Sequence, residues 1–257
     1  QYLPGGATRV VCRAVGDPTN VSLSKDLSGG WHDAGDHNKY VNFADEPVHN
    51  LLFSYVENPG AWGDDFGLPE SGNGVSDLLD EVKRELDWFL KMQNADGSVL
   101  IKVSTVGSAT TSPPSADAGL RRYAPTMASS TISACGAFAH AAKVYKAESN
   151  ASMQAYGATL ETAALAAWTW LESNPGLIPS DYDNAGFTNA DGEDGADFQA
   201  SNRVSAAVHL YALTGDTAYR DYVDNNYAST ITLISSSWAD SYDYMVYSSM
   251  LVYAETP

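Results

Sequence analysis

Residues 75–93, VSDLLDEVKRELDWFLKMQ, place apolar side chains at Val75, Leu78, Leu79, Val82, Leu86, Phe89 and Leu90. This three-and-four spacing gathers one stripe on a helix and turns it toward a core. Ser76 is expected to cap the helix, and Asp77, Asp80 and Glu81 open it where the helix dipole favours negative charge. The stretch from Asn94 to Gly97 ends it.

Working outward, the same period predicts helices over about Ser129 to Lys146, with Ile132, Cys135, Ala139, Ala142 and Tyr145 on a face, and over about Ser152 to Ser173. The second of these is Ala-rich, which lets helices approach closely, and Asn174-Pro175-Gly176 stops it. Phe198 to Leu213 follows. Gly215 is then placed to take the left-handed position after that helix, and Asp216 or Thr217 to cap the next, Ala218 to Asn225. Shorter helices are predicted at Glu46 to Tyr55 and Asp243 to Ala254, and Ser98 to Val103 is the best candidate for an extended segment. Helices joined by Gly/Asp/Ser-rich loops imply one all-α domain, a toroid of helical hairpins with a loop-built face.

Composition narrows the partners. The 257 residues carry 14 Lys+Arg against 32 Asp+Glu, a formal charge of −18, which repels phosphate backbones and anionic lipid headgroups. Nucleic acid and membrane surfaces are therefore disfavoured. An aromatic content of 11%, with 15 Tyr and 6 Trp, suits the flat apolar faces of sugar rings. No stretch approaches the ~20 apolar residues of a membrane span, and Gln1 opens the chain without a basic, apolar leader, so a mature, soluble, secreted protein is expected. Cys12 and Cys135 stand in no metal-binding spacing and are expected to be buried thiols, with a disulfide as the alternative in an oxidising compartment.

The segment richest in chemistry is residues 26–41, DLSGGWHDAGDHNKYV. Gly29, Gly30 and Gly35 permit tight backbone geometry, and Asp33 and Asp36 are held three residues apart between Trp31, His32 and His37. Carboxylates fixed beside an aromatic wall suit acid and base chemistry on a sugar. A bare pair of Asp residues at this spacing is equally a solvated loop.

In full, the segment resembles the Gly-Gly-Trp/Tyr-x-Asp-Ala-Gly-Asp signature of glycoside hydrolase family 9. Residues 73–93 with Asp96-Gly97, residues 122–131 (RYAPTMASST) and residues 203–216 (RVSAAVHLYALTGD) are similar to further segments of that family in the same order. The resemblance implies an (α/α)6 toroid of helical hairpins and hydrolysis of β-1,4-glucan with inversion at the anomeric carbon. Asp36 is then the base that deprotonates the attacking water, Asp33 holds that water, and the two carboxyls titrate as a coupled pair. An inverting pair of carboxyls stands about 6.5–9.5 Å apart across the cleft. Trp31, Tyr123 and Trp238 are expected as sugar-binding positions with His32 beside them, while Trp88 and Trp168 lie in helical stripes and are expected in the core.

Two departures from the family pattern stand out. The family's general acid is a Glu near the end of the catalytic domain, and no Glu here matches its motif, so the chain is expected to hold the N-terminal portion of an incomplete barrel, with the acid elsewhere, on a second chain among other arrangements. Many members also bind structural calcium, but here Ser201-Asn202 stand where Asp-Glu is expected, leaving Asp243 as the candidate metal ligand; the loop 181–192 resembles a calcium loop only faintly. No cofactor is required. The expected substrate is a β-glucan or cello-oligosaccharide. The alternatives are an exo-acting relative of β-glucosidase or glucosaminidase type and a truncated, non-catalytic carbohydrate-binding protein.

Overall fold

The computed structural model describes residues 11–175, 184–190, 192, 194–230 and 244–257. Its helices are α1 (Val41–Glu57), α2 (Asp77–Met92), α3 (Ala128–Ala147), α4 (Ala151–Ser173), α5 (Ala196–Thr214), α6 (Thr217–Thr230) and α7 (Tyr244–Glu255). They pack as hairpins, α1 on α2, α3 on α4 and α5 on α6, while α1, α3, α5 and α7 contact one another in succession as an inner row. This is the arrangement expected of an (α/α)6 toroid, present here in part.

Residue chemistry explains the division. Along α3, all but three residues of its twenty are buried, and most are Ala, Ser or Gly, so the helix has no solvent face and neighbours close in on every side. At the crossing of α3 and α4, a Cβ on Gly157 would stand 2.8 Å from Lys146 N and 3.1 Å from Ala142 O, so the two backbones touch where only glycine fits. By contrast α2 is amphipathic, burying Leu78, Leu79, Val82, Leu86, Phe89 and Met92. Each such side chain contributes about 1.5–3 kcal/mol on removal from water. Trp88 and Trp168 are in the core as expected, the latter edge-on to Tyr219 and Tyr222 at 5.5 and 5.0 Å. Cys12 and Cys135 are buried free thiols, and burial pushes Cys12 up to about 11 and Cys135 up to about 12.

The helix ends refine the sequence reading. Ser76 sits at the N-cap of α2, yet its side chain makes no capping bond. Gly215 does take the left-handed conformation (φ 69°), and Asp216 Oδ1 accepts from Ala218 N at 2.9 Å to start α6, which runs on to Thr230. Helix α1 starts at Val41 rather than Glu46, with Pro47 inside it, because burial of Val41 and Val48 outweighs the proline.

The extended structure exceeds the expectation. Strands β1 (Val11–Ala14), β2 (Lys25–Asp26), β3 (Lys39–Tyr40), β4 (Val99–Leu100), β5 (Lys102–Ser104), β6 (Arg122–Tyr123) and β7 (Thr126–Met127) form a five-stranded sheet in the order β2-β1-β6-β5-β3 and a β4-β7 pair. Only the β1–β6 pair is parallel. Strand β3 pairs with β5, Lys39 opposite Val103 and Tyr40 opposite Lys102, and leads straight into α1. No helix among the described residues is long and apolar enough to cross a membrane.

Candidate active site

The loop between β2 and β3 carries the candidate residues, and α2 fixes its near end. Gly30, at φ 69°, lies against the Trp88 ring so closely that a Cβ there would stand 2.7 Å from two ring atoms. Just beyond, the Trp31 backbone N–H donates to the Glu85 carboxylate, and its indole Nε1 donates to Glu81 Oε1 at 2.6 Å. Lys39 Nζ closes the loop on itself by donating to the Gly29 carbonyl. Glu85 is fully buried; burial pushes its carboxyl up to about 8, opposed by the Trp31 N–H and the Lys39 charge. Burial likewise pushes Lys39 down to about 8, opposed by the Glu85 charge.

Asp36 is gripped by one residue. Its Oδ1 accepts from Asn38 N at 3.0 Å and its Oδ2 from Asn38 Nδ2 at 2.7 Å, which holds both oxygens without a cation. Asn38 is itself buried, donates to Tyr40 OH at 3.2 Å, and accepts from Ser104 Oγ and from Asn189 Nδ2 at 3.3 Å. The network continues to Lys102, fully buried, whose Nζ donates to Asn184 Oδ1, to Asn189 Oδ1 at 3.1 Å and to the Ala190 carbonyl at 2.5 Å. One connected set of hydrogen bonds thus joins Asp36, β5 and the segment 184–190. Asp33, three residues earlier, is exposed and is tied by its backbone N–H to the Asn38 carbonyl at 2.9 Å. Partial desolvation, then the Asp36 charge, raise its carboxyl above the ordinary range.

The two histidines divide their work. His37 is buried, with Nδ1 3.2 Å from Asp117 Oδ2, and its backbone N–H donates to the Ala109 carbonyl at 2.9 Å. Asp117 also holds Arg121; although burial opposes it, the Gly119 N–H, His37 and Arg121 together keep its carboxyl below the usual range. His32 stacks on His37 at 5.2 Å with one side open, and burial followed by the Lys39 charge pushes it down to about 4, leaving a neutral imidazole.

Of the residues expected at the site, Asp33, Asp36, Trp31 and His32 share this loop. Tyr123 lies in β6, buried, with its hydroxyl donating to the Leu23 carbonyl at 2.6 Å. Trp238 and Asp243 lie outside the described residues. In the loop 181–192, three oxygens of its described part, those of Asn184, Asn189 and Ala190, accept from the Lys102 ammonium. Ser201 Oγ donates to the Phe198 carbonyl at 3.0 Å and brings no charge.

The residues that hold the loop, Asn38, Lys102, Glu81 and Glu85, were not singled out as functional from sequence. A signal existed for two of them: Glu85 interrupts the apolar stripe of α2 between Val82 and Phe89, and Lys102 interrupts an otherwise apolar run of strands. A charge on a buried face needs a partner, and these carry the loop.

Residues 6–256 match the model of Glycosyl hydrolase family 9. Endoglucanase D of Acetivibrio thermocellus is 32% identical over 206 residues, covering 77% of this chain and 31% of its own length. The cellodextrinase of Butyrivibrio fibrisolvens is 34% identical over 208 residues, 76% of this chain and 35% of its own. A metagenome-derived family 9 endoglucanase superposes with a TM-score of 0.77 at 30% identity, over 95% of this chain and 43% of that one. AaCel9A, solved with a cellobiose-like isofagomine, gives 0.79 at 25%, over 98% and 46%. The chain therefore spans about a third of these curated relatives and under half of these solved structures.

Proposed function

Since the chain belongs to glycosyl hydrolase family 9, we propose that it carries the base half of an inverting hydrolase of β-1,4-glucosidic bonds, with Asp36 as the base. The observation that supports this reading is the fixed Asp36 carboxylate, held on both oxygens by Asn38, with the open Asp33 three residues away. A water between the two loses its proton to Asp36 as its oxygen attacks the anomeric carbon, and the bond to the leaving sugar oxygen breaks on the opposite face. Asp33, raised toward neutrality by its surroundings and by Asp36, positions that water. The neutral His32 is suited to hydrogen-bond a sugar hydroxyl, and the anchored Trp31 gives the ring a platform.

The leaving oxygen needs a proton from an acid about 6.5–9.5 Å from the base. Asp33 is too near Asp36 in the loop to act from the opposite face, and no Glu here matches the family's acid motif, so we assign the acid to polypeptide outside these 257 residues, on the same or a second chain. The reaction calls for no cofactor. An extracellular location goes with a polymeric substrate of this kind. The test is Asp36→Asn in a form that also contains the acid-bearing segment. Reducing-sugar release from carboxymethylcellulose is expected to fall by at least ~10³-fold with helix content and cello-oligosaccharide affinity preserved. Parent-like turnover by that variant, or robust release by the 257-residue chain alone, overturns the assignment.

A further inference from the structure

Each of three inner helices brings one histidine to the same point: His49 from α1, His140 from α3 and His209 from α5. They are 1%, 6% and 1% exposed, and one ring nitrogen from each lies within 4.8 Å of the others. His140 and His209 stack at 4.4 Å, and His49 lies 5.1 and 4.7 Å from them. Nδ1 of His49 and Nδ1 of His140 are 2.9 Å apart, so one donates to the other, whereas Nε2 of His209 is buried with no hydrogen-bond partner. Three imidazoles in such a place are costly unless their nitrogens are used.

Access exists beside them. A cleft of about 1030 Å³ is lined by His140, His209, Phe53, Lys143, Tyr211 and Leu251, among others. Phe53 packs against His140 at 4.5 Å. Three imidazoles with a fourth position toward a cleft is the donor set of a four-coordinate zinc-type site. We propose that His49, His140 and His209 bind one late first-row divalent cation, Zn²⁺ serving as probe, with the fourth position facing the cleft. Zn–N bonds of about 2.0–2.1 Å set nitrogen separations near ~3.4 Å, so the widest pair closes by roughly 1.4 Å on binding. The site is separate from the Asp36 loop and does not rest on the proposed hydrolysis.

The test uses the 257-residue chain stripped with a chelator and titrated with Zn²⁺ in competition with a chromophoric chelator. One tight equivalent is expected, with Co²⁺ giving the intense visible bands of a four- or five-coordinate imidazole site. His140→Gln and His209→Gln are each expected to weaken that equivalent at least ~100-fold while circular dichroism stays unchanged. Should a variant fail to fold, the Co²⁺ spectrum of the parent decides alone. Absence of a tight equivalent in the parent, equal binding by folded variants, or a weak six-coordinate oxygen-type Co²⁺ spectrum overturns the proposal.

Discussion

Gly30 offers a way to measure what holds the loop between β2 and β3 in shape. Its φ of 69° costs any residue with a Cβ about 1–2 kcal/mol. The added Cβ would also press into the Trp88 ring at 2.7 Å, and Trp88 is fully buried and cannot withdraw, for a further cost of about 1–3 kcal/mol. Gly30→Ala is therefore expected to destabilise by about 2–5 kcal/mol. Two neighbours act as controls. At Gly29, φ is 102° and Trp88 Cβ stands 3.9 Å away, so Gly29→Ala carries backbone strain alone. At Gly35 a Cβ meets nothing within 4 Å, so Gly35→Ala should stay within about 0.5 kcal/mol of the parent. Combining each with Trp88→Leu separates the terms: relief of the overlap should make Gly30→Ala/Trp88→Leu less destabilised than the sum of its parts by about 1–3 kcal/mol, while the Gly29 pair adds. Urea unfolding followed by far-UV circular dichroism at constant m gives these values. Additivity at Gly30 would refute the account of the loop resting on the Trp88 ring.

Lys102→Met keeps the stem and removes the donors that bind Asn184, Asn189 and Ala190, so a loss of about 2–4 kcal/mol and new protease cleavage within 184–190 are expected; unchanged resistance would sink this role. For Glu85 the sign follows from its carboxyl being raised from 4.5 to about 8 on folding: the folded chain keeps a proton the unfolded chain has lost, so its contribution is full below pH 4.5 and is lost as pH rises through 8. Glu85→Gln should therefore gain stability relative to the parent between pH 5 and 8, by up to about 1.4 kcal/mol per pH unit. A stability difference that is flat with pH would contradict the buried, protonated carboxyl.

Sequence periodicity located the helices because each is long enough to repeat its pattern. Helix α2 shows this best: its stripe is buried but for the half-buried Leu90, and Glu85, Trp88 and Met92 join it inside. In helix α3 the period found the helix but not the extent of its burial, since burial on every side leaves no polar face to contrast with the apolar one. Strands β4 and β5 lie where the extended segment over Ser98 to Val103 was expected, but the other strands escaped because most are two residues long, too short for alternation to be seen. In the site, Asp33 and Asp36 were legible as a spaced pair, but Asn38, Lys102 and Asn189 are joined across 87 and 151 positions by hydrogen bonds that no local pattern records.

Asp36 precedes the first residue of α1 by five positions, and the two residues of β3 fill part of that interval. A single inserted residue there would exchange the faces of Lys39 and Tyr40, parting Lys39 from Gly29 and Tyr40 from the Ala190 carbonyl at once. The stretch 107–119 is bound to the loop by one backbone contact at Ala109, by Asn38 Nδ2 on Ser108 Oγ at 3.4 Å and by Asp117 on His37. Descendants of this gene can therefore remodel that stretch by lengthening it between those three anchors. The interval from Asp36 to Val41 permits substitution but no change of length, so the two segments are open to different kinds of change.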